Sequence, residues 1–464
     1  MKCKTCGQTI TSDNIPIDPT AHDWGEWVVT TASTCTVKGE ETRTCKHNDS
    51  HTETRDINPL GHDWQWVDTA TVTQNGTERL TCSVCKETQG SSRPTYATGT
   101  PGLSLNLINN GTAYSVSRGT ASGAVVIPVY HRPDAQSGYL PVMAIAFQNQ
   151  SGITSVTFTA GSQLTTIGGD AFSGCSDLAS ITIPASVTSI GENAFSGTKI
   201  HNDTTNSVVY AGNWVVGVRG ALSDSISLTA GTVGIADWSF SSTNITSITI
   251  PASVKFIGNS AFNYCNSLTS ITFGVNSQLE TIGSSAFSYA GITSIEIPAS
   301  VKTIGEMAFL NCNNLETVIF AAGSQIEVID RATFTFTSIT NIIIPASVKT
   351  IGYGVFTGCA SLKSVIFASG SQLEDIGSFA FNSTGITSIV IPASVNTIDR
   401  VAFQNCTYLE RVFYGGNEAA WNSITISNDG NAPLTNATRY YYSATTPTTA
   451  GNFWQWVGGV PTIW

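Results

Sequence analysis

The sequence predicts a β-rich solenoid: a parallel sheet built from coils with short helical turns and loops, with small Cys/His modules before it and an aromatic cap after it. The first observation is a repeat. The phrase Ile-Pro-Ala-Ser-Val recurs with its proline at Pro251, Pro298, Pro345 and Pro392, each 47 residues after the last, and an earlier copy holds Pro184. A fixed period in this range marks supersecondary units that bury their apolar faces only against their neighbours. The second is composition. Only 11% of the 464 residues are charged and 41% are apolar, so Ser, Thr, Asn and Gly dominate the polar surface, as in strands and tight turns. The third is the division of the 11 cysteines, six within the first 85 residues and five in the repeats.

Residues 1–92 form the small modules. Residues 21–56 and 61–88 are two copies of one pattern, each with His-Asp-Trp (His22, His62), a second Trp (Trp27, Trp66), a Gly (Gly39, Gly76) and a Cys pair or its remnant. Cys82-x-x-Cys85 is intact, whereas Cys45 is followed by His47 and His51. Cys3-x-x-Cys6 reads as the tail of a preceding module. The opening Met-Lys-Cys-Lys-Thr-Cys has no hydrophobic signal region, which leads to the expectation of a missing leader or an incomplete gene product.

Tetrahedral zinc sites take four N or S ligands. One full set is His22, Cys35, Cys45 and either His47 or His51; another is Cys3, Cys6, His22 and Cys35. The second module offers only His62, Cys82 and Cys85, because Val72 stands where Cys35 would. Structural zinc, disulfide pairing and neither all remain open, and each would serve to hold together modules with little core.

A linker at 93–100 leads to a cap and first coil at 101–150. Leu103–Ser117 reads as a hairpin with Asn110-Gly111 at its turn. Through 151–414 the Phe of each Ala-Phe-like step recurs at Phe262, Phe287, Phe309, Phe334, Phe356, Phe381 and Phe403, alternately 25 and 22 residues apart. Within one unit, Ile295 and Ile297 alternate with Ser294 and Glu296, the period-2 signature of a strand with one buried face. Pro298 ends that strand. Val301 and Ile304 form a second inward pair, Gly305 turns the chain, and Ala308, Phe309 and Cys312 fit one short helical turn. The interval from Phe195 to Phe240 holds an insertion near 201–221 that reads as a protruding hairpin, with Trp214 as a candidate binding residue. At 415–464 the aromatic tail Phe453-Trp-Gln-Trp456 and Trp464 can cover the last coil.

Two ladders run along the coils. One alternates Lys255, Glu280, Lys302, Glu327, Lys349 and Glu374 before Asn396, which suits an inter-coil ion-pair ladder. The other is the outward strand position, polar at Thr157, Thr182, Thr249, Thr272 and Glu296, then apolar at Ile319, Ile343, Ile366, Val390 and Phe413. An apolar strip of this kind points to contact with a partner or with the chain's own tail.

Leu-x-x-Ile-x-Ile-Pro-x-x-Val-x-x-Ile-Gly-x-x-Ala-Phe-x-x-Cys, recurring over about residues 140–414, resembles the leucine-rich repeat of BspA-like bacterial surface proteins. The resemblance implies a leucine-rich repeat solenoid on an exported protein, adhering to host matrix proteins or to another cell. The residues themselves leave two further readings, an envelope spacer and glycan stacking on Trp24, Trp27, Trp64 and Trp66. Net charge is −11 with no Lys/Arg-rich block, so no nucleic-acid footprint exists. No apolar run approaches the roughly 18 residues of a membrane span. No nucleophile–base pair or catalytic motif occurs, and all six histidines lie outside the regular repeats, so no enzyme is expected.

Overall fold

The computed structural model describes residues 22–203 and 208–464. They divide into two compact units, one running to Thr98 with Arg132–Gly138, the other comprising Gly99–His131 and Tyr139–Trp464.

The first unit contains two three-stranded antiparallel sheets of the same order, Val28–Thr31, Gly39–Cys45 and Asn48–Ile57, then Trp64–Asp68, Gly76–Cys82 and Thr88–Thr95. Gly39 and Gly76 occupy equivalent close approaches, where a side chain would collide with the backbone of Thr31–Ser33 and of Thr69–Ala70 respectively. The buried Glu78 carboxylate takes a two-pronged pair from Arg132 at 3.0 and 2.5 Å, which compensates its loss of water.

The second unit is the solenoid. It opens with the expected hairpin, Ser104–Ile108 against Ala113–Ser117, whose turn places Asn109, Asn110 and Gly111 at positive φ. Each coil then gives a longer strand to one parallel ladder and a two-residue strand to another. Ser294–Ile297 pairs with Thr317–Phe320 in register (Ile295↔Val318, Glu296↔Ile319), and its burial alternates as the period-2 reading requires. Thr303–Ile304 continues the second ladder from Thr281–Ile282.

The third side carries the phenylalanines. Phe240, Phe262, Phe287, Phe309, Phe334, Phe356, Phe381 and Phe403 stack with successive ring centroids 5.0–5.7 Å apart, and all are buried. The turn expected to be helical is built differently. The residues two before and two after each Phe take left-handed φ, as Ser260 and Tyr264 do around Phe262, or Met307 and Asn311 around Phe309. The amides of Ser260, Phe262 and Tyr264 thereby reach the carbonyls of Ser284, Ala286 and Ser288 in the next coil at 2.7–2.9 Å. Backbone hydrogen bonds therefore run between coils on this side too, although it contains no regular strand.

The repeat cysteines Cys175, Cys265, Cys312, Cys359 and Cys406 are free, buried, and donate to the carbonyl of the Phe in the preceding coil at 2.9–3.1 Å. The charge ladder forms in part, with Lys302–Glu280 at 2.9 Å and Lys349–Glu327 at 3.1 Å. Both pairs are well exposed, so each contributes roughly 0–1 kcal/mol.

The insertion departs from the sequence reading. Val208–Ala211 and Trp214–Val218 do form a hairpin, but Trp214–Val218 also pairs in parallel with Gly234–Ile235. It is thus a rung of the second ladder rather than a protrusion. Trp214 is 1% exposed and stacks on Phe256 at 6.0 Å, so its apolar ring fills core and is not presented to a ligand.

Candidate functional site

The outward face of the longer-strand ladder contains the predicted strip, and the structure splits it. Ile319 and Ile343 are 53% and 58% exposed, beside the exposed Glu296. Ile366, in register with Ile343, is half-buried. Val390 and Phe413 are only 6% and 5% exposed, which removes them from any free surface. The cause is the tail. Thr438–Tyr442 and Phe453–Val457 extend the ladder beyond Arg411–Tyr414, and Val460–Ile463 turns back antiparallel. This brings Trp454 onto Val390 and Phe413, with its indole donating to the Tyr414 carbonyl at 2.8 Å. Of the two coverings the sequence allowed, the chain's own tail takes the C-terminal end.

A second exposed apolar feature was missed by sequence reasoning. Tyr264, Tyr289 and Phe336 are exposed at the left-handed position two after the buried Phe, and the two tyrosine rings stack at 4.5 Å. Elsewhere this position is Asn149, Gly174, Gly197, Ser242, Asn311, Gly358, Ser383 or Asn405, mostly Gly and Asn, which suit positive φ. Aromatic residues in a column otherwise rich in Gly and Asn were the available signal.

In the modules the ligands sort differently from either predicted set. The donor atoms of Cys35, His62, Cys82 and Cys85 all lie within 4.8 Å of one another. Cys35 Sγ is 3.6 Å from Cys82 Sγ, and Cys85 Sγ is 3.3 Å from His62 Nδ1. The place Val72 leaves open in the second module is filled by Cys35 of the first. The Thr34 and Cys35 carbonyls accept from the Leu60 and Gly61 amides at 2.9 and 3.0 Å, which sets Cys35 beside His62. His62 Nε2 faces Glu87 at 3.4 Å, and its ring stacks on Trp64 at 4.6 Å. Burial and the thiols of Cys85 and Cys82 push the Cys35 thiol up to about 12. Burial opposes ionisation of Cys82 as well, but hydrogen bonds from Cys85, His62 and Val84 bring it down to about 6.

The first predicted set is therefore broken. Cys35 has left it, and His47 faces Asp23 at 3.6 Å. His22 and His51 stay together, ring centroids 5.0 Å apart, and their buried Nδ1 atoms have no hydrogen-bond partner among the described residues. Cys45 is buried and bridges to Trp24. Cys3 and Cys6 lie outside the described residues. The tryptophans considered for glycan stacking are largely engaged: Arg43 lies over Trp24 and Trp27, Arg55 over Trp27, and Arg93 over Trp66 at 3.9 Å.

The family model of the BspA-type leucine-rich repeat region matches residues 142–215, 233–335 and 327–428, in six copies. No curated protein sequence matches the chain. Among solved structures, a leucine-rich repeat protein from Bacteroides ovatus is 23% identical, covering 74% of this chain and 93% of its own, with a TM-score of 0.33. A leucine-rich cell surface protein from Faecalibacterium prausnitzii is also 23% identical, covering 72% and 99%, with a TM-score of 0.28.

Proposed function

The chain belongs to the BspA-type leucine-rich repeat family, whose model spans more than half of it, and from that premise we propose a non-enzymatic, exported bacterial surface protein that binds a protein partner through the solenoid. The observation that carries the reading is the pair Ile319 and Ile343, exposed on neighbouring strands of a regular sheet face while Ile366 is half-buried and Val390 and Phe413 are covered. Exposed apolar groups at the same position of adjacent coils mark a contact surface better than scattered ones do. An apolar pair bordered by the Glu296 side chain suits an extended polypeptide or a flat protein face, and the rigid spacing of the coils would present it without ordering cost. Among the described residues no helix is long and apolar enough to cross a membrane. Host matrix or another cell surface is the partner class the family suggests.

The test is binding of the full chain, beside Ile343→Asp and Ile319→Asp, to a panel of matrix proteins. The expected result is at least a tenfold loss of affinity, about 1.4 kcal/mol, with thermal stability unchanged because both side chains already face solvent. Equal binding by wild type and both variants would move the site elsewhere and favour the spacer role.

A further inference from the structure

We propose that Cys35, His62, Cys82 and Cys85 ligate one Zn²⁺, and that the metal is the joint between successive modules, each module lending one cysteine to the site of the next. Four soft or borderline donors converge here, three thiols and an imidazole, which is a Cys₃His set of the kind that holds structural zinc. The spacing agrees. Zn–S bonds of about 2.3 Å in a tetrahedron put sulfurs about 3.8 Å apart, and Cys35 and Cys82 stand at 3.6 Å. A disulfide would need about 2.05 Å. His62 is prepared as a ligand: Nδ1 turns toward Cys85, while Nε2 faces the Glu87 carboxylate, the outer partner that fixes a ligating imidazole.

The loop geometry explains why the fourth ligand comes from the neighbouring module. In the first module the Thr34 amide donates to the Val37 carbonyl, and the Val37 amide to Thr34 Oγ1, both at 3.0 Å. Thr71 and Gln74 repeat this loop at 2.9 and 3.0 Å. Each loop then accepts an amide from the segment that follows its module, Leu60 on Thr34 and Thr98 on Thr71. The residue after the Thr is Cys35 in one case and Val72 in the other. Cys35 is followed by a module with His-Asp-Trp and Cys-x-x-Cys; Val72 is followed by the solenoid, which has neither. A cysteine occurs where a site exists to complete and is replaced by an apolar residue where none does. His22, whose Nδ1 has no hydrogen-bond partner among the described residues, holds the corresponding ligand position of the first module.

The experiment uses the full reduced chain, stripped of metal and titrated with Co²⁺, then with Zn²⁺ in competition. The expected wild-type spectrum shows tetrahedral d–d absorption with charge transfer from three thiolates. Cys35→Ala loses that signal, Cys35→His keeps a tetrahedral spectrum with charge transfer reduced by about a third, and Cys312→Ala in the solenoid matches wild type. Should Cys35→Ala fail to fold, the wild-type charge-transfer intensity still discriminates, three thiolates supporting the shared site and two opposing it. The proposal is overturned if Cys35→Ala retains the full spectrum, if the reduced chain binds neither metal, or if peptide mapping of the protein as isolated finds a Cys35–Cys82 or Cys82–Cys85 disulfide.

Discussion

The five repeat thiols show how one small side chain serves a solenoid. Each sits behind a buried Phe and donates to a carbonyl of an earlier coil, a bond that also leaves it shielded from reagents. Burial raises their pKa, for Cys312 from 9.0 to about 12. The unfolded chain therefore releases this proton first, so the contribution is intact below pH 9 and is lost as pH rises from about 9 to about 12, at up to about 1.4 kcal/mol per pH unit. Urea unfolding at pH 8, 9 and 10 should show falling stability, with a shallower fall in Cys312→Ala; identical slopes would mean the thiol does not couple to folding. Phe336 poses the opposite case, a bulky residue at φ 55 with its ring in solvent. Replacing it by Asn should relieve backbone strain of about 1 kcal/mol, and the thermal midpoint should hold or rise. A clear fall would show that its packing over Gly358 outweighs the strain. The inward Ile, Val and Phe positions were legible because periodicity reports burial. The left-handed turns were not, because Ala-Phe spacing fits a helical turn equally well and only the Gly and Asn around it hint otherwise.

Among the elements, the insertion shows where pattern reading stops. Alternating Val-Val-Tyr-Ala and Trp-Val-Val identified the hairpin correctly, but alternation cannot say whether its second strand has a neighbour. That neighbour is Gly234–Ile235, and glycine is what allows it: any side chain at Gly234 would run into the Trp214 ring. Trp214→Ala should lose about 3–5 kcal/mol, as for other large core rings, and Gly234→Ala should be destabilising although it adds only a methyl. Hydrogen exchange would localise both effects to the second ladder from residue 208 onward. An unchanged protection pattern in Trp214→Ala would return the hairpin to the role of a separate protrusion. The modules carry the same lesson. Their His, Trp and Cys were legible individually, yet Cys35 reaches its partners through the Thr34–Leu60 and Cys35–Gly61 hydrogen bonds, which link positions far apart in sequence.

For the whole molecule the problem is how a one-dimensional stack ends. From Phe240 to Phe381 each coil satisfies its Phe amide from the next, as Phe381 does from the Ala402 carbonyl, and the last coil, at Phe403, has no such neighbour among the described residues. Asn431 stands in for it, its side-chain oxygen accepting from the Phe403 amide at 3.0 Å while its amide donates to the Asp399 carbonyl at 2.8 Å. The tail then closes the sheet side, and Trp454 covers the strip from Val390 to Phe413. Such a covering was foreseeable in kind from the aromatic tail, but its extent was not, since nothing periodic relates Trp454 to Tyr414. Removing residues 444–464 should therefore leave the coils through Phe403 folded and uncover Val390 and Phe413, extending the already exposed face at Ile319 and Ile343 to about 20 Å of apolar strand. Next to an open strand edge at Thr438–Tyr442, this surface favours edge-to-edge pairing between copies. Sedimentation velocity should show the truncated chain associating with rising concentration while the intact chain stays monomeric, and Phe413→Asp in the truncated chain should reduce that association. If the truncated chain remains monomeric and binds no more apolar dye than the intact one, the tail is not what keeps this face from neighbouring copies.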